Sequence, residues 1–441
     1  MKQSKHNIYY SPKEVRTILE RSIDTALDGL KGYCNDPVSD FTRCRKLPAR
    51  TLIECIMSFS NYSSIGELSH FFVGQGEMPS ASALSQRRQL LDPDIFKRIN
   101  NLFVSAFDDH TTINGYHILA QDGSDVNIPF MDDKTKTEKH DAKSFCQYHV
   151  NALYDCLNKV FYDWSIDAAS KKREVNALIS IMKDRNYPQN SIFTADRGYE
   201  SYNLMAHFIE NDIKFVIRVK DIHTKSGLMT NIKTEEGAFD MRVNRTLTSL
   251  QTKEIKADKE KYIFVPSTSN FDFLDENRDF YDLSFRAVRF KISEDVYETV
   301  VTNLSEEEFK AEDFKELYHY RWNEETAFNK LKYTIGLVYF HARKRKLIQQ
   351  EINAAFLMYN VSEVIIRNID LKKNKKPELE YDYKPNFSSA VTNIRLYLRK
   401  KISMKELILR IKKFLVAQRP ERSFERNIKG QSCKPLNYRT S

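Results

Sequence analysis

The segment between residues 116 and 219 constrains the fold most, because strand-like and helix-like patterns follow one another there in a defined order. The predicted elements are strands 116–120, 148–157 and 160–166, helix 174–183, strand 191–195, helix 202–210 and strand 215–219. Asn158 and Lys159 are predicted to form the turn between the second and third strands. Three strands in succession, followed by alternating helices and strands, predict an α/β fold: a mixed sheet with helices packed on it.

The rest of the chain differs in composition from this segment. The N-terminal part has apolar residues at helical spacing, and residues 221–296 are lysine-rich and β-prone. We therefore predict five regions: 1–110, a helical DNA-binding domain; 111–220, the first part of the α/β core; 221–296, a β-rich insertion; 297–370, the second part of the core; and 371–441, a basic helical C-terminal region.

One helix of the N-terminal region has a composition suited to DNA. The segment from Pro79 to Arg88 is predicted to cap and begin this helix, and its polar side chains include Arg87 and Arg88. Exposed Ser, Gln and Arg side chains on a short helix would suit a recognition helix in a DNA groove. The alternative is that Arg87 and Arg88 are ordinary surface residues of a small helical bundle.

The charge of the chain is concentrated near its C-terminal end. The formal net charge is +9, whereas residues 371–441 contain nineteen Lys and Arg against six Asp and Glu, a net charge of +13. The remainder is therefore slightly acidic. A basic region on a near-neutral body indicates a polyanionic partner, with nucleic acid as the default. The alternative is a tail that only aids solubility.

Neither a membrane segment nor an export signal is predicted. The most apolar helical stretch, 352–366, contains Asn353, Asn360 and Glu363, and the first fourteen residues include no apolar run. The six cysteines form no CxxC pair. They are typical of reduced thiols, so we expect a cytoplasmic protein with no zinc site.

Two aspartates occupy similar places in the predicted core. Asp122 follows the first predicted strand, and Asp196 follows the fourth, each with a glycine-containing segment after it. Ligands commonly bind at the carboxyl ends of the strands of an open sheet. Taken one at a time, both segments are also compatible with ordinary turns.

A third carboxylate lies on a predicted helix, in the segment 316–336, which reads ELYHYRWNEETAFNKLKYTIG. Tyr318, Arg321, Glu325 and Lys332 are separated by three, four and seven residues, so a helix would place them on one face. The alternative is a surface pair of Arg321 and Glu325, which contributes little to stability.

Together these residues predict phosphodiester chemistry. Asp122, Asp196 and Glu325 are hard oxygen ligands that suit Mg²⁺ or Mn²⁺. Two such ions about 4 Å apart would support in-line attack on a phosphodiester by water or a 3′-hydroxyl. Arg321 and Lys332 would hold the phosphate backbone, and Tyr318 could donate a hydrogen bond to it. A glycosidase also uses carboxylates, but these cationic neighbours favour phosphate over sugar.

Three motifs in order resemble those of bacterial insertion-sequence transposases of the DDE class, in the large family named for insertion sequence four. The motifs are ILAQDGSDVNIP around Asp122, IFTADRGYES around Asp196, and the Tyr-Arg-Glu-Lys signature from Tyr318 to Lys332. The resemblance implies an RNase H-like core interrupted by the β-rich insertion. It also implies that Asp122, Asp196 and Glu325 are the catalytic residues and the ligands of Mg²⁺.

The resemblance further implies partners and a reaction. The partners would be double-stranded DNA, as terminal inverted repeats and as target, and a second copy of the chain in a homodimeric synaptic complex. The reaction would be cut-and-paste transposition in the bacterial cytoplasm, at the nucleoid. Some relatives excise through a DNA hairpin, and Phe271, Phe273 and Tyr281 are candidates for capturing a flipped base. A DNA-binding descendant without cleavage activity is the alternative function.

Overall fold

The computed structural model describes residues 1–5, 9–43, 45–74, 76–139, 142–169, 173–224, 226–294, 296–371 and 381–418. The helices are α1 (Pro12–Asp28), α2 (Ala49–Met57), α3 (Ser64–Phe72), α4 (Ala81–Leu90), α5 (Asp94–Val104), α6 (Glu174–Asp184), α7 (Tyr202–Glu210), α8 (Lys253–Ala257), α9 (Asp313–His319), α10 (Trp322–Lys330), α11 (Arg345–Arg367), α12 (Phe387–Leu398) and α13 (Met404–Lys413). The strands are β1 (Gln3–Lys5), β2 (Thr111–Ile113), β3 (His117–Ile128), β4 (Lys136–Lys139), β5 (Ala142–Asp155), β6 (Val160–Ala168), β7 (Ser191–Ala195), β8 (Lys214–Val219), β9 (Phe239–Thr248), β10 (Tyr262–Phe264), β11 (Phe280–Ser293), β12 (Val296–Thr302), β13 (Asp382–Pro385) and β14 (Leu415–Gln418).

The central strands form a mixed sheet in the order β6-β5-β3-β7-β8. The pairs β5–β6 and β3–β5 are antiparallel, whereas β3–β7 and β7–β8 are parallel. Three antiparallel strands followed in sequence by two parallel ones, with the first strand at the centre, make the RNase H-like arrangement. The predicted fold class is therefore confirmed.

The predicted insertion extends this sheet. Strand β12 pairs antiparallel with β8, and β11, β9 and β10 follow outward from it. Two buried arginines of β11, on opposite faces of the strand, form ion pairs with neighbouring segments: Arg286 pairs with Asp240 and Arg289 with Asp221. Strands β9, β10 and β11 all lie within residues 221–296, the region predicted to be β-rich. The domain boundaries themselves remain a prediction.

Helix α11 is buried along almost its whole length, and the N-terminal helices pack directly on it. Arg88 of α4 is 2% exposed and lies 2.8 Å from Glu351 of α11, while Arg87 donates to the Leu47 carbonyl and stacks on Phe41. The expectation that Arg88 faces outward is therefore wrong, because its side chain is buried in internal contacts, whereas Arg87 is half-buried.

The described part of the C-terminal region, which was predicted to be helical, ends in two helices followed by a strand. Helix α12 ends before Lys400, which has φ +57, and the Ser403 side chain caps α13. Strand β14 then pairs with β13. Residues 372–380 and the end of the basic region (419–441) lie outside the described residues.

Two predictions about the environment of the chain can be compared with the described residues. In that part of the chain, no helix is long and apolar enough to cross a membrane. Cys34, Cys55, Cys146 and Cys156 are free thiols there, and Cys44 and Cys433 lie outside the described residues.

Candidate active site

Asp122 lies within a strand and not in a turn, which corrects the prediction. Strand β3 continues to Ile128 because its second half pairs with β5 through Ile128 and Cys146. Its parallel pairing with β7, however, ends at Gln121 and Ala195. Asp122 and Asp196 are the next residues on these neighbouring strands, so the sheet register brings both to the same edge.

Each of the two aspartates accepts a hydrogen bond from a glycine that follows it. Asp122 Oδ1 lies 2.8 Å from the Gly123 nitrogen, and Asp196 Oδ1 lies 2.7 Å from the Gly198 nitrogen. Asp196 also begins a single 3₁₀ turn, Arg197–Tyr199. The backbone after each strand therefore fixes the position of the carboxylate.

The segment that carries the third carboxylate is not one regular helix. It consists of α9, a short αR junction, α10 and then a π-helical turn at Leu331–Ile335, which ends at Gly336 with φ +119. The junction residues Tyr320 and Arg321 retain helical dihedral angles, so Arg321 and Glu325 still lie one turn apart.

Arg321 connects two of the carboxylates. Its side chain is 5% exposed; Nη2 lies 3.2 Å from Glu325 Oε1, and Nη1 lies 3.7 Å from Asp122 Oδ2. The rings of Tyr318 and Trp322 lie 5.6 and 5.2 Å from its guanidinium carbon. Burial acts to lower the pKa of Arg321, but Tyr318, Asp122 and Glu325 raise it above its usual value. Arg321 is therefore a permanent cation among these side chains.

The electrostatics of Asp122 show that the three carboxylates interact. Burial raises the pKa of Asp122 to about 6; the Gly123 N–H and Arg321 oppose this, whereas Asp196 and Glu325 add to it. Among the described residues, no group of three or more His, Cys, Asp or Glu side chains encloses a metal site. The donor set of hard carboxylate oxygens, which repel one another, nevertheless fits a divalent cation.

The two other members of the signature lie in different environments. Tyr318 is 2% exposed; burial raises the pKa of its hydroxyl, and Arg321 opposes this. Lys332 is half-buried in the π-helical turn, about two turns beyond Glu325. The contacts of Arg321 are with carboxylates, and phosphate binding by Tyr318, Arg321 and Lys332 remains a prediction.

Sequence reasoning missed the neighbours of the two aspartates. His149 is buried, with Nδ1 2.7 Å from Asp125 Oδ1 and Nε2 3.0 Å from Glu174 Oε1. A further carboxyl group, Glu324, is fully buried, and burial followed by Asp122 raises its pKa well above the usual value, which Arg321 opposes. The sequence signal for the contacts of His149 was Gly123, because the missing side chain at that position leaves room for the His149 ring.

The aromatic candidates for base capture pack against one another. Phe271 and Phe273 each lie 5.4 Å from the ring of Tyr281, and Phe273 also contacts His207 of α7. Tyr281 is buried, and its hydroxyl donates to Glu210 at 3.0 Å. In this arrangement the three rings hold the extension of the sheet against α7.

The strand order is RNase H-like, and Asp122 within β3 and Asp196 directly after β7 lie at the same edge of the sheet. The model of the family described as "Transposase DDE domain" matches residues 113–361, and the chain belongs to this family. Among solved structures, the chain is similar to the piggyBac transposase synaptic complex with hairpin DNA, determined by cryo-EM. The identity is 12%, the TM-score is 0.45, and the match covers 96% of this chain and 90% of that one. No curated protein matches the chain.

Proposed function

We propose that the chain is the transposase of an insertion sequence of the family named for insertion sequence four. It would cleave DNA strands at the ends of the element and join them to a target by cut-and-paste transposition. Membership of the transposase DDE domain family supports DNA transposition as the general activity. The spacing of Tyr318, Arg321, Glu325 and Lys332 supports the narrower assignment.

The observation that carries this proposal is the convergence of Asp122, Asp196 and Glu325. The register of β3 and β7 brings the two aspartates to one edge, and Arg321 lies between Asp122 and Glu325. Burial is the largest cause of the raised pKa of Asp122, and the carboxylates of Asp196 and Glu325 add to it; a raised carboxyl pKa of this kind is typical of functional sites. We assign catalysis to the three carboxylates.

The three carboxylates would hold the cofactor, Mg²⁺, with Mn²⁺ as a substitute. When bound, the metal would lower the pKa of the attacking hydroxyl or water and stabilise the leaving oxygen. Arg321 lies between Asp122 and Glu325, and its positive charge would reduce the repulsion between the two carboxylates. Lys332 and Tyr318 are proposed to contact DNA phosphate, as the signature implies.

The proposed partners are double-stranded DNA and a second copy of the chain. The DNA would be bound as the terminal inverted repeats and as the target, with two copies in the synaptic complex. The net charge of +13 in residues 371–441 supports a polyanionic partner. The proposed location is the bacterial cytoplasm, at the nucleoid.

The experiment is Mg²⁺-dependent cleavage of DNA that carries the element's own flanking ends, measured with wild type, Glu325→Gln and Glu316→Gln. Glu325→Gln is expected to bind the DNA but lose cleavage by at least about 100-fold, because the change removes the charge of a carboxylate in the site. Glu316 is exposed on α9, so Glu316→Gln is a matched control that should cleave normally.

The alternative outcomes separate the competing functions. Binding by all three proteins without cleavage by any would favour the DNA-binding descendant. Equal cleavage by wild type and Glu325→Gln would remove Glu325 from the site and contradict the proposed mechanism.

A further inference from the structure

The two catalytic aspartates share a neighbour on α6. Glu174 is the first residue of that helix, and its side chain is 30% exposed. A Cβ atom added to Gly123 would lie 3.1 Å from Glu174 Oε1, and one added to Gly198 would lie 3.4 Å from Glu174 Oε2. The Glu174 carboxylate therefore lies between the two glycines that follow Asp122 and Asp196.

The two glycines are also the residues that fix the catalytic carboxylates. The N–H of Gly123 donates to Asp122, and the N–H of Gly198 donates to Asp196. The Glu174 carboxylate thus packs against both of the glycines, Gly123 and Gly198, that donate these hydrogen bonds. A displacement of Glu174 would allow the two donors, and with them the two aspartates, to move relative to each other.

His149 holds Glu174 in this position. It lies on β5 with its side chain 2% exposed, between Asp125 of β3 and Glu174 of α6. Its imidazole also packs on Gly123, because a Cβ atom there would lie 2.6 Å from His149 Cε1. A buried imidazole between two carboxylates is strongly oriented, since both ring nitrogens have an acidic partner.

We propose that Glu174 and His149 form a positioning pair that sets the separation of Asp122 and Asp196, and thereby the affinity of the site for a divalent cation. The proposal rests on the proposed function and deepens it, because the pair acts on the catalytic carboxylates through Gly123 and Gly198. Groups that orient the ligands of a metal typically change metal affinity or activity by about 10–100-fold when they are altered.

The test measures the binding of Mn²⁺ by electron paramagnetic resonance in the full-length protein without DNA, together with thermal unfolding. Glu174→Ala and His149→Ala are expected to weaken Mn²⁺ binding by about 10-fold or more. Glu174→Gln keeps the length of the side chain and one oxygen for His149, so it is expected to retain most of the affinity. The Mg²⁺ concentration needed for half-maximal DNA cleavage should rise most in Glu174→Ala and His149→Ala and least in Glu174→Gln.

A second buried histidine supplies the matched control. His341 lies between Glu351 and Glu67, at 3.0 and 3.3 Å, in a junction of α3 and α11. His341→Gln is expected to bind Mn²⁺ like wild type, whereas His149→Gln is expected to bind it more weakly. Comparison of their unfolding temperatures separates a general loss of stability from a local effect on the site.

Three results would overturn the proposal. Glu174→Ala with wild-type affinity would show that the pair does not position the aspartates. A loss in Glu174→Gln as large as in Glu174→Ala would show that the charge, and not the contact, is required. Equal Mn²⁺ binding by wild type and Asp122→Asn would contradict the proposed function itself, and the positioning role with it.

Discussion

At the scale of single residues, the contact between Gly123 and His149 leaves no space for a side chain at position 123. A Cβ atom there would lie 2.6 Å from His149 Cε1, and His149 is held on both sides by carboxylates. We expect Gly123→Ala to lower the free energy of unfolding by about 1–3 kcal/mol, the usual cost of overpacking a close-packed site. Urea denaturation would measure this change.

A control variant and a double mutant test whether the clash with His149 causes the loss of stability in Gly123→Ala. A Cβ atom on Gly32 would meet nothing within 4 Å, so Gly32→Ala should change the free energy of unfolding by less than about 0.5 kcal/mol. In a His149→Ala background, Gly123→Ala should cost less than in wild type, because the clashing ring is gone. The same cost in both backgrounds would rule out this clash as the origin.

At the scale of elements, the docking of α4 on α11 depends on a buried ion pair. Burial acts to raise the pKa of Glu351, but Arg88 and His341 lower it to about 2. Arg88→Met would leave this carboxylate buried with the His341 contacts alone, and we expect a loss of about 3 kcal/mol in unfolding free energy at pH 7. The exposed pair of Arg410 and Glu406 is the control, and Arg410→Met should cost less than about 1 kcal/mol.

The difference in unfolding free energy between wild type and Arg88→Met should depend on pH in a defined direction. The folded pKa of Glu351 lies below its ordinary value, so its contribution is fully present above about pH 4.5 and is lost as the pH falls toward 2. In Arg88→Met, burial favours the protonated form of Glu351. Protonation at low pH therefore removes the free-energy cost of burying the Glu351 charge without Arg88. The stability difference between wild type and Arg88→Met should therefore narrow between pH 6 and pH 3. A difference that stays constant over this range would show that the pair is not its source.

Elements were predictable from sequence where local signals decide the structure. Strand β7 and helix α7 have the predicted bounds, because an apolar run ends at Asp196 and Ser201 caps the helix. The turn predicted at Asp122 is absent because pairing with β5 outweighs the turn preference of Asp-Gly-Ser. The positioning pair was missed for a similar reason: Glu174 and His149 meet Gly123 only through the sheet and the packing of α6.

At the scale of the whole molecule, the N-terminal helices and the catalytic core share one hydrophobic core. Asn100 of α5 and Asn360 of α11 are hydrogen-bonded to each other in it, and Trp164 of β6 donates to Asn353 of α11. A helical region packed in this way cannot change its orientation without disturbing α11. The basic charge that favours DNA binding is instead concentrated after residue 370.

This distribution of charge predicts how DNA binding depends on salt. Residues 419–441 contain six Lys and Arg and two Glu. Each cation that contacts a phosphate contributes roughly 0.9 to the slope of log K against log salt concentration on B-DNA. We expect a chain that ends at Gln418 to have a slope shallower by about 2–5, measured by fluorescence anisotropy between 50 and 200 mM salt.

A full-length variant with the six cations changed to Gln is the control, and it should reproduce the shallower slope, because charge and not chain length is responsible. A slope equal to that of wild type in both proteins would favour the alternative that this basic tail aids solubility alone.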